Sequence, residues 1–348
     1  MKKKAKNAMS EVKAVTPFQT IDGLDVVSSV EQVFSGLVGD LLADVGLTMM
    51  CAKPKVGKST LARQLAVSVA EGEHFLGKPV KTGNVLYLSL EGPKHVVQQH
   101  FKTLGLTQTK GRVTLVHEHM PAHGELGVEK LRCTLDRLKD VRLLVIDPVG
   151  KLLRLAKSEN YDEVLTAVEL LEKLAKDYAL HLVFLAHAKK RQTDDAGDSP
   201  IGSTAFRGGT DCNIFLRKQG IRRVISTEQR WGNPIEEETF LDYDRERQAM
   251  TLGKPVADEQ EEKQETRSAK TKERIERDLL STLTLISLTP ESREKGVTQS
   301  QVLDQVQGNR ALKLQVLKQL VESGRVSEHE DGKAMRYKFA VSQEEKAA

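Results

Sequence analysis

Residues 46–60 read Gly46-Leu47-Thr48-Met49-Met50-Cys51-Ala52-Lys53-Pro54-Lys55-Val56-Gly57-Lys58-Ser59-Thr60. An apolar run, Leu47–Cys51, leads into a short loop holding Pro54 and Gly57, and a helix-forming stretch, Ser59–Glu71, follows. Strand, tight loop and helix in that order make a cradle for phosphate. The loop N–H groups turn inward, and the first helical turn adds its positive end. The residues match G-x-x-x-x-G-K-[ST] at every position but the first, where Ala52 stands for Gly. The expected nucleotide-binding set is therefore Ala52, Lys53, Pro54, Lys55, Val56, Gly57, Lys58, Ser59 and Thr60. Gly57 lets the backbone approach an anion, Lys58 reaches the β- and γ-phosphate oxygens, and the Ser59 hydroxyl ligates Mg²⁺. Alanine at position 52 is tolerated if its φ stays negative.

Outward from this loop, short apolar runs alternate with amphipathic helical stretches. The runs are Leu47–Cys51, Asn84–Leu90, Val141–Ile146, Leu180–Ala186 and Cys212–Leu216. Between them lie Ser59–Glu71, Lys94–Leu104 and Tyr161–Tyr178, the last with Val164, Val168, Leu171, Leu174 and Ala175 on one face. Continuous apolar strands separated by helices predict an α/β fold with a mostly parallel sheet covered on both sides. Arg223–Thr227 and Glu238–Tyr243 alternate instead, and predict antiparallel additions at a sheet edge.

Ligands of an open parallel sheet collect beyond the carboxyl ends of its strands. Glu91, Asp147, His187 and the pair Arg217-Lys218 follow four of the apolar runs. Asp147, after Leu143–Ile146, is expected to hold Mg²⁺ directly or through water; its plainer role is a turn or cap before Pro148. Glu91 is placed to orient the attacking water, or is a loop carboxylate before Gly92-Pro93. His187 fits either a contact to the γ-phosphate or a satisfied core histidine. Arg207, Arg217 and Lys218 are the candidate cations for charge on the transferring phosphate, supplied by a neighbouring subunit, or else surface cations.

A second unit follows. Residues 254–271 are highly charged and nearly free of apolar side chains, as in a linker or an exposed helical strut. Ile275, Leu279, Leu280, Leu283 and Ile286 then mark one helix, and Thr298 with Gln301 has the spacing of a capping box. Ala311–Ser323 reads as a further helix, and Arg325–Glu330 and Ala334–Val341 flank an Asp331-Gly332 turn. Three helices and a hairpin predict a winged helix-turn-helix. Its second motif helix offers Arg310, Lys313 and Lys318 to phosphates and Gln315 and Gln319 to base edges, and its wing offers Lys333, Arg336 and Lys338. The expected organisation is a basic tail (1–30), an ATPase domain (31–253), a charged linker (254–271), a winged-helix domain (272–342) and a short tail (343–348).

Composition sets the outer limits. The chain has 348 residues, 39% hydrophobic and 29% charged, with a formal charge of +4. That mild excess permits a nucleic-acid partner without requiring one. Only 4% of residues are aromatic, which argues against base stacking as the main binding mode. No stretch of about 18 apolar residues suggests a membrane span. Cys51, Cys133 and Cys212 lack metal-ligand spacing, and with no export signal read as reduced thiols of a cytoplasmic protein.

The ordered motifs carry a family resemblance over roughly residues 37–250. Gly46-Leu47-Thr48-Met49-Met50, Phe75-Leu76-Gly77-Lys78-Pro79-Val80, Val85-Leu86-Tyr87-Leu88-Ser89-Leu90-Glu91, Val145-Ile146-Asp147-Pro148, Phe184-Leu185-Ala186-His187-Ala188-Lys189-Lys190 and Gly202–Asp211 occur in sequence. Together they resemble the RecA-like AAA_25 group, which includes RepA-type hexameric replicative helicases. The resemblance implies a RecA-like core and ATP hydrolysis with Mg²⁺. It also implies Glu91 as catalytic carboxylate, Asp147 at the metal, His187 as sensor, and a DNA-facing loop between His187 and Phe206; a cation acting in trans would make the protein a homo-oligomeric ring or filament, with a hexameric ring favoured. Lys189, Lys190 and Arg191 suit such a loop, whereas Asp194, Asp195 and Asp198 do not. Ala52 and the appended winged helix depart from the small RepA-type pattern.

Two functions of different class follow. One is a DNA-dependent ATPase motor, a helicase or helicase loader of a mobile element. The other is an ATP-bound switch whose winged helix binds DNA or a protein without unwinding. A small-molecule kinase fits poorly, because it leaves residues 272–340 without a role.

Overall fold

The structure, a computed structural model, describes residues 20, 22–23, 36–118, 124–153, 161–188, 203–235, 237–286, 290–332 and 334–339. The basic tail apart from Thr20, Asp22 and Gly23, the stretch 189–202 with Lys189, Lys190 and Arg191, Lys333, and the tail 343–348 lie outside the described residues.

In chain order the first unit contains β1 (Gly46–Ala52), α1 (Lys58–Glu71), β2 (Asn84–Ser89), α2 (Lys94–Thr103), β3 (Val113–Val116), α3 (Gly124–Leu138) and β4 (Val141–Asp147). It continues with α4 (Val149–Leu153), α5 (Tyr161–Asp177), β5 (His181–His187), α6 (Ser203–Gly209), β6 (Cys212–Gln219), β7 (Arg222–Gln229), β8 (Thr239–Asp244) and β9 (Ala249–Pro255). The strands form one nine-stranded sheet in the order β3-β2-β4-β5-β1-β6-β7-β8-β9. Neighbours from β3 to β6 are parallel, and β7, β8 and β9 extend the edge antiparallel. The expected α/β architecture with a mostly parallel sheet is present, and it is that of a RecA-like core.

The sheet is central because β1 is buried along its whole length. Met50 and Ala52 point to one apolar layer with Leu61, Leu65 and Val69 of α1; Leu47, Met49 and Cys51 point to the other, with Val164, Val168 and Leu171 of α5. A strand wet on one face would alternate; one sandwiched between helices does not. Truncating such a residue, Leu65→Ala for example, is expected to cost about 2–5 kcal/mol. The sequence runs 47–51, 84–90, 141–146, 180–186 and 212–216 all became strands, and the two alternating runs became β7 and β8.

The second unit holds α7 (Val256–Ile286), α8 (Pro290–Lys295), β10 (Val297–Thr298), α9 (Gln299–Leu303), α10 (Arg310–Glu322), β11 (Val326–Asp331) and β12 (Ala334–Phe339). Its strands pair in the order β10-β12-β11. Ile275, Leu279 and Leu283 of α7 share a core with Val302, Leu303, Val316, Leu317, Leu320 and Tyr337. The Thr298–Gln301 capping box is formed, and the Asn309 side chain caps α10. Of the two sequence readings for 254–271, the structure takes the helical strut: β9 runs to Pro255 and α7 continues without a break into the second unit. Among the described residues no helix is long and apolar enough to cross a membrane.

Candidate functional site

The parallel register sets the carboxyl ends of five strands side by side. Ala52 of β1 is level with His187 of β5 and Leu216 of β6, and Ser89 of β2 is level with Asp147 of β4. The loop from Lys53 to Gly57 leaves this edge and turns into α1. Ala52 itself completes β1 and is not among the positive-φ residues, so alanine fits where the pattern has glycine. Gly57 has φ of 120°, and a Cβ there would lie 2.7 Å from Met250 Cε and 3.2 Å from Arg223 Nε. Only glycine satisfies both constraints.

Lys58, the first residue of α1, folds back under the loop. Its Nζ donates to the Ala52 carbonyl at 2.7 Å and the Lys53 carbonyl at 3.3 Å, and lies 3.4 Å from His187 Nδ1. Burial pushes its ammonium pKa down, opposed by the charges of Asp147 and Glu91. Burial likewise lowers the His187 pKa, and the adjacent Lys58 charge lowers it further. A neutral His187 can then accept from Lys58 through Nδ1 and carry its proton on Nε2.

Ser59 Oγ donates to Asp147 Oδ1 at 3.1 Å, and Tyr87 OH donates to Asp147 Oδ2 at 2.8 Å. Burial raises the Asp147 pKa, and the bonds from Tyr87 and Ser59 oppose that rise. Arg63, one turn along α1 from Ser59, places Nη2 3.9 Å from the same carboxylate. A Ser hydroxyl and a largely buried carboxylate 3.1 Å apart form a hard-oxygen pair beside the phosphate loop, which is the donor chemistry that suits Mg²⁺. Glu91 is exposed, two residues past the end of β2, and its charge acts on Lys58, Asp147 and His187 alike.

The structure thus brings Lys58, Ser59, Glu91, Asp147 and His187 together. The three cations fare differently. Arg207 lies at the opposite end of the sheet, before β6, where it is clamped by both oxygens of Glu228 and stands 5.6 Å from the Phe215 ring centroid. It is remote from the phosphate loop of its own chain. Arg217 follows Leu216 at the correct end but is bound to both oxygens of Glu238. Lys218 is exposed and makes no ion pair among the described residues; across the β6–β7 ladder it faces Arg223.

Four residues near the loop were not expected from sequence. Tyr87 left a signal, because a tyrosine inside an apolar strand needs a partner for its hydroxyl. Arg63 left none. Arg223 of β7 donates from Nε to the Val56 carbonyl at 2.7 Å and lies 5.1 Å from the ring centroid of Tyr243, on β8. That contact arises only because the antiparallel edge curls back over the loop, where Gln64 also exchanges two hydrogen bonds with the Met250 backbone.

Phosphate loop, buried lysine and Ser–Asp pair at the carboxyl edge of a parallel sheet define a P-loop ATPase core. Residues 19–193, half of the chain, match the AAA domain family AAA_25, and the chain belongs to that RecA-like P-loop ATPase family. Among curated proteins none matches the chain.

Proposed function

We propose that the protein is an ATP-hydrolysing, DNA-associated motor, a RepA-like replicative helicase or helicase loader of a plasmid, phage or other mobile element. The observation that carries the reading is the convergence of Lys58, the Ser59–Asp147 pair, Glu91 and His187 at one edge of the sheet. The backbone N–H groups of the loop and α1 hold the triphosphate, and Lys58 exchanges its carbonyl partners for phosphate oxygens. Ser59 and Asp147 hold Mg²⁺, which neutralises phosphate charge. Glu91, exposed at the mouth, orients water for attack on the γ-phosphorus as the bond to the bridging oxygen breaks. His187, touching Lys58, reads the presence of the γ-phosphate. Lys218 and Arg217 stand at the same edge, the position from which a neighbouring copy in a ring, a hexamer for instance, receives a cation.

The second unit has the helix and strand order of a winged helix, and in this reading it recruits DNA. Its basic face is narrower than the sequence suggests. Lys313 is buried, with Nζ donating to the carbonyls of Leu303 at 2.6 Å and Val306 at 2.9 Å, so it closes the turn between α9 and α10 and is withdrawn from any phosphate. Arg336 and Lys338 donate to the carbonyls of Gly296 and Glu294. That observation favours, as the second reading, a nucleotide-dependent switch whose second unit binds a partner without unwinding DNA.

ATP turnover with and without single-stranded DNA separates the two, run beside mass photometry with a non-hydrolysable ATP analogue. The motor requires turnover that DNA accelerates and a nucleotide-dependent oligomer. Turnover indifferent to any DNA refutes it.

A further inference from the structure

The strut helix α7 has an outer face that the proposed function leaves unused. Residues Arg267, Lys270, Arg274 and Arg277 recur at intervals of three, four and three, so they stack on one side of the helix. All four are exposed, and none makes an ion pair among the described residues. Lys263, also exposed, prolongs the row by one turn and is paired with Glu259. The row lies opposite Ile275, Leu279 and Leu283, the side chains that fix α7 to the second unit, and so points away from α10. From Arg267 to Arg277 the row spans about 15 Å.

We infer that this face of α7 is a docking surface for the sugar–phosphate backbone of duplex DNA, separate from any contact made by α10. The inference rests on the DNA-associated reading above and adds where the backbone sits. Three features favour this occupant. The charges are mounted on a rigid rod at regular spacing, and a duplex carries one phosphate per about 1.7 Å of axis, so a row of this length meets an excess of anions. Residues 256–286 contain no aromatic side chain, so the face offers no stacking platform for single-stranded bases. Four free cations in a row also repel one another along the helix, an arrangement that costs stability unless an anion covers it. Among the acidic residues of the helix, Glu259 shares the face of the row at its N-terminal end, where it pairs with Lys263 and Arg222. Asp258, Glu261 and Glu265 lie on other faces, and Glu273 and Asp278 flank the row on either side.

The test uses the full chain and a labelled 30-base-pair DNA duplex of random sequence, with binding followed by anisotropy from low to moderate salt. Each phosphate neutralised contributes about 0.9 to the slope of log affinity against log salt. The variant Arg267→Gln, Lys270→Gln, Arg274→Gln and Arg277→Gln is expected to bind with a slope shallower by about 3–4, at a melting temperature no lower than that of the unmodified chain. A second variant, Glu273→Gln with Asp278→Asn, removes the flanking acids and is expected to bind several-fold tighter. If the quadruple variant keeps the full slope while DNA still accelerates ATP turnover, the surface assignment falls and the motor reading stands. If the unmodified chain binds no duplex and DNA leaves turnover unchanged, both fall. If polyglutamate displaces the duplex at equal charge concentration, the face belongs to an acidic protein and the inference is overturned.

Discussion

His181 should make the fold sensitive to acid. It opens β5 opposite Gly46 of β1, is fully buried, and its Nε2 lies 2.8 Å from Thr48 Oγ1. Burial pushes its pKa down to about 4 from 6.5, against the opposing effect of the Asp44 carboxylate. Above pH 6.5 the imidazole is neutral in folded and unfolded chains alike. Between 6.5 and about 4 only the unfolded chain takes up the proton, so stability is fully present above the unfolded pKa and falls as the pH drops. At 1.36 kcal/mol per unit the loss amounts to about 3 kcal/mol. That is a sizeable part of the about 5–15 kcal/mol that holds a typical domain together. Urea unfolding at a series of pH values, for the protein and for His181→Gln, isolates this effect, because the carboxylates titrate in both. The stability difference between the two should change by about 3 kcal/mol from pH 7 to pH 4. A difference that stays flat over that interval would refute the burial argument for this histidine.

Other consequences follow from the site. Lys58→Ala should cut ATP turnover by about 10²-fold or more while leaving the thermal transition of the sheet in place, as read by a coupled-enzyme assay and calorimetry. Tyr87→Phe leaves Asp147 with one hydrogen-bond donor fewer; its pKa should rise and the Mg²⁺ concentration for half-maximal turnover should increase several-fold. Arg223→Ala frees the Val56 carbonyl, and is expected to raise the KM for ATP about fivefold, the worth of about one net hydrogen bond, with kcat little changed. Lys313→Met leaves the Leu303 and Val306 carbonyls buried and unpaired. It should destabilise the second unit by about 1–3 kcal/mol in chemical denaturation without altering the salt slope of DNA binding, which separates a structural lysine from a phosphate-contacting one.

What the sequence discloses depends on how far the cause of each feature reaches. The sheet strands were legible because burial on both faces demands a continuous apolar run, and Leu47–Cys51 or Leu143–Ile146 admits few other readings. The phosphate loop was legible because backbone geometry there restricts residue type locally, at Gly57 above all. β3 was not, since Val113–Val116 is four residues at a sheet edge of which Val113 alone is buried. β9 is not legible either, because Met250 is the one buried residue of Ala249–Pro255 and the run carries Gly253 and Pro255, residues that ordinarily argue against a strand. Lys313 looked like a phosphate ligand because its spacing along α10 is visible in sequence, whereas the turn of α9 that swallows its ammonium is not. Arg223 is the clearest case of a site residue set by tertiary curvature alone.

That curvature also joins the two units physically. Arg222 and Arg223 are adjacent on β7, so their side chains leave opposite faces of the sheet. Arg223 holds the Val56 carbonyl of the phosphate loop; Arg222 lies over the Phe240 ring at 3.7 Å and is bound to Glu259 in the first turn of α7. The Val56 carbonyl of the loop and the first turn of α7 are therefore held by adjacent residues of one strand. The Arg222–Glu259 pair is partly exposed and adds little stability by itself. Its value lies in position, and the expected signature is specific. If DNA stimulates turnover as proposed above, Glu259→Gln should leave ATP affinity and the melting temperature nearly unchanged while weakening that response. A variant in which basal turnover and its DNA response fall together would show that the pair serves the ATP site alone, and that β7 does not link the loop to α7.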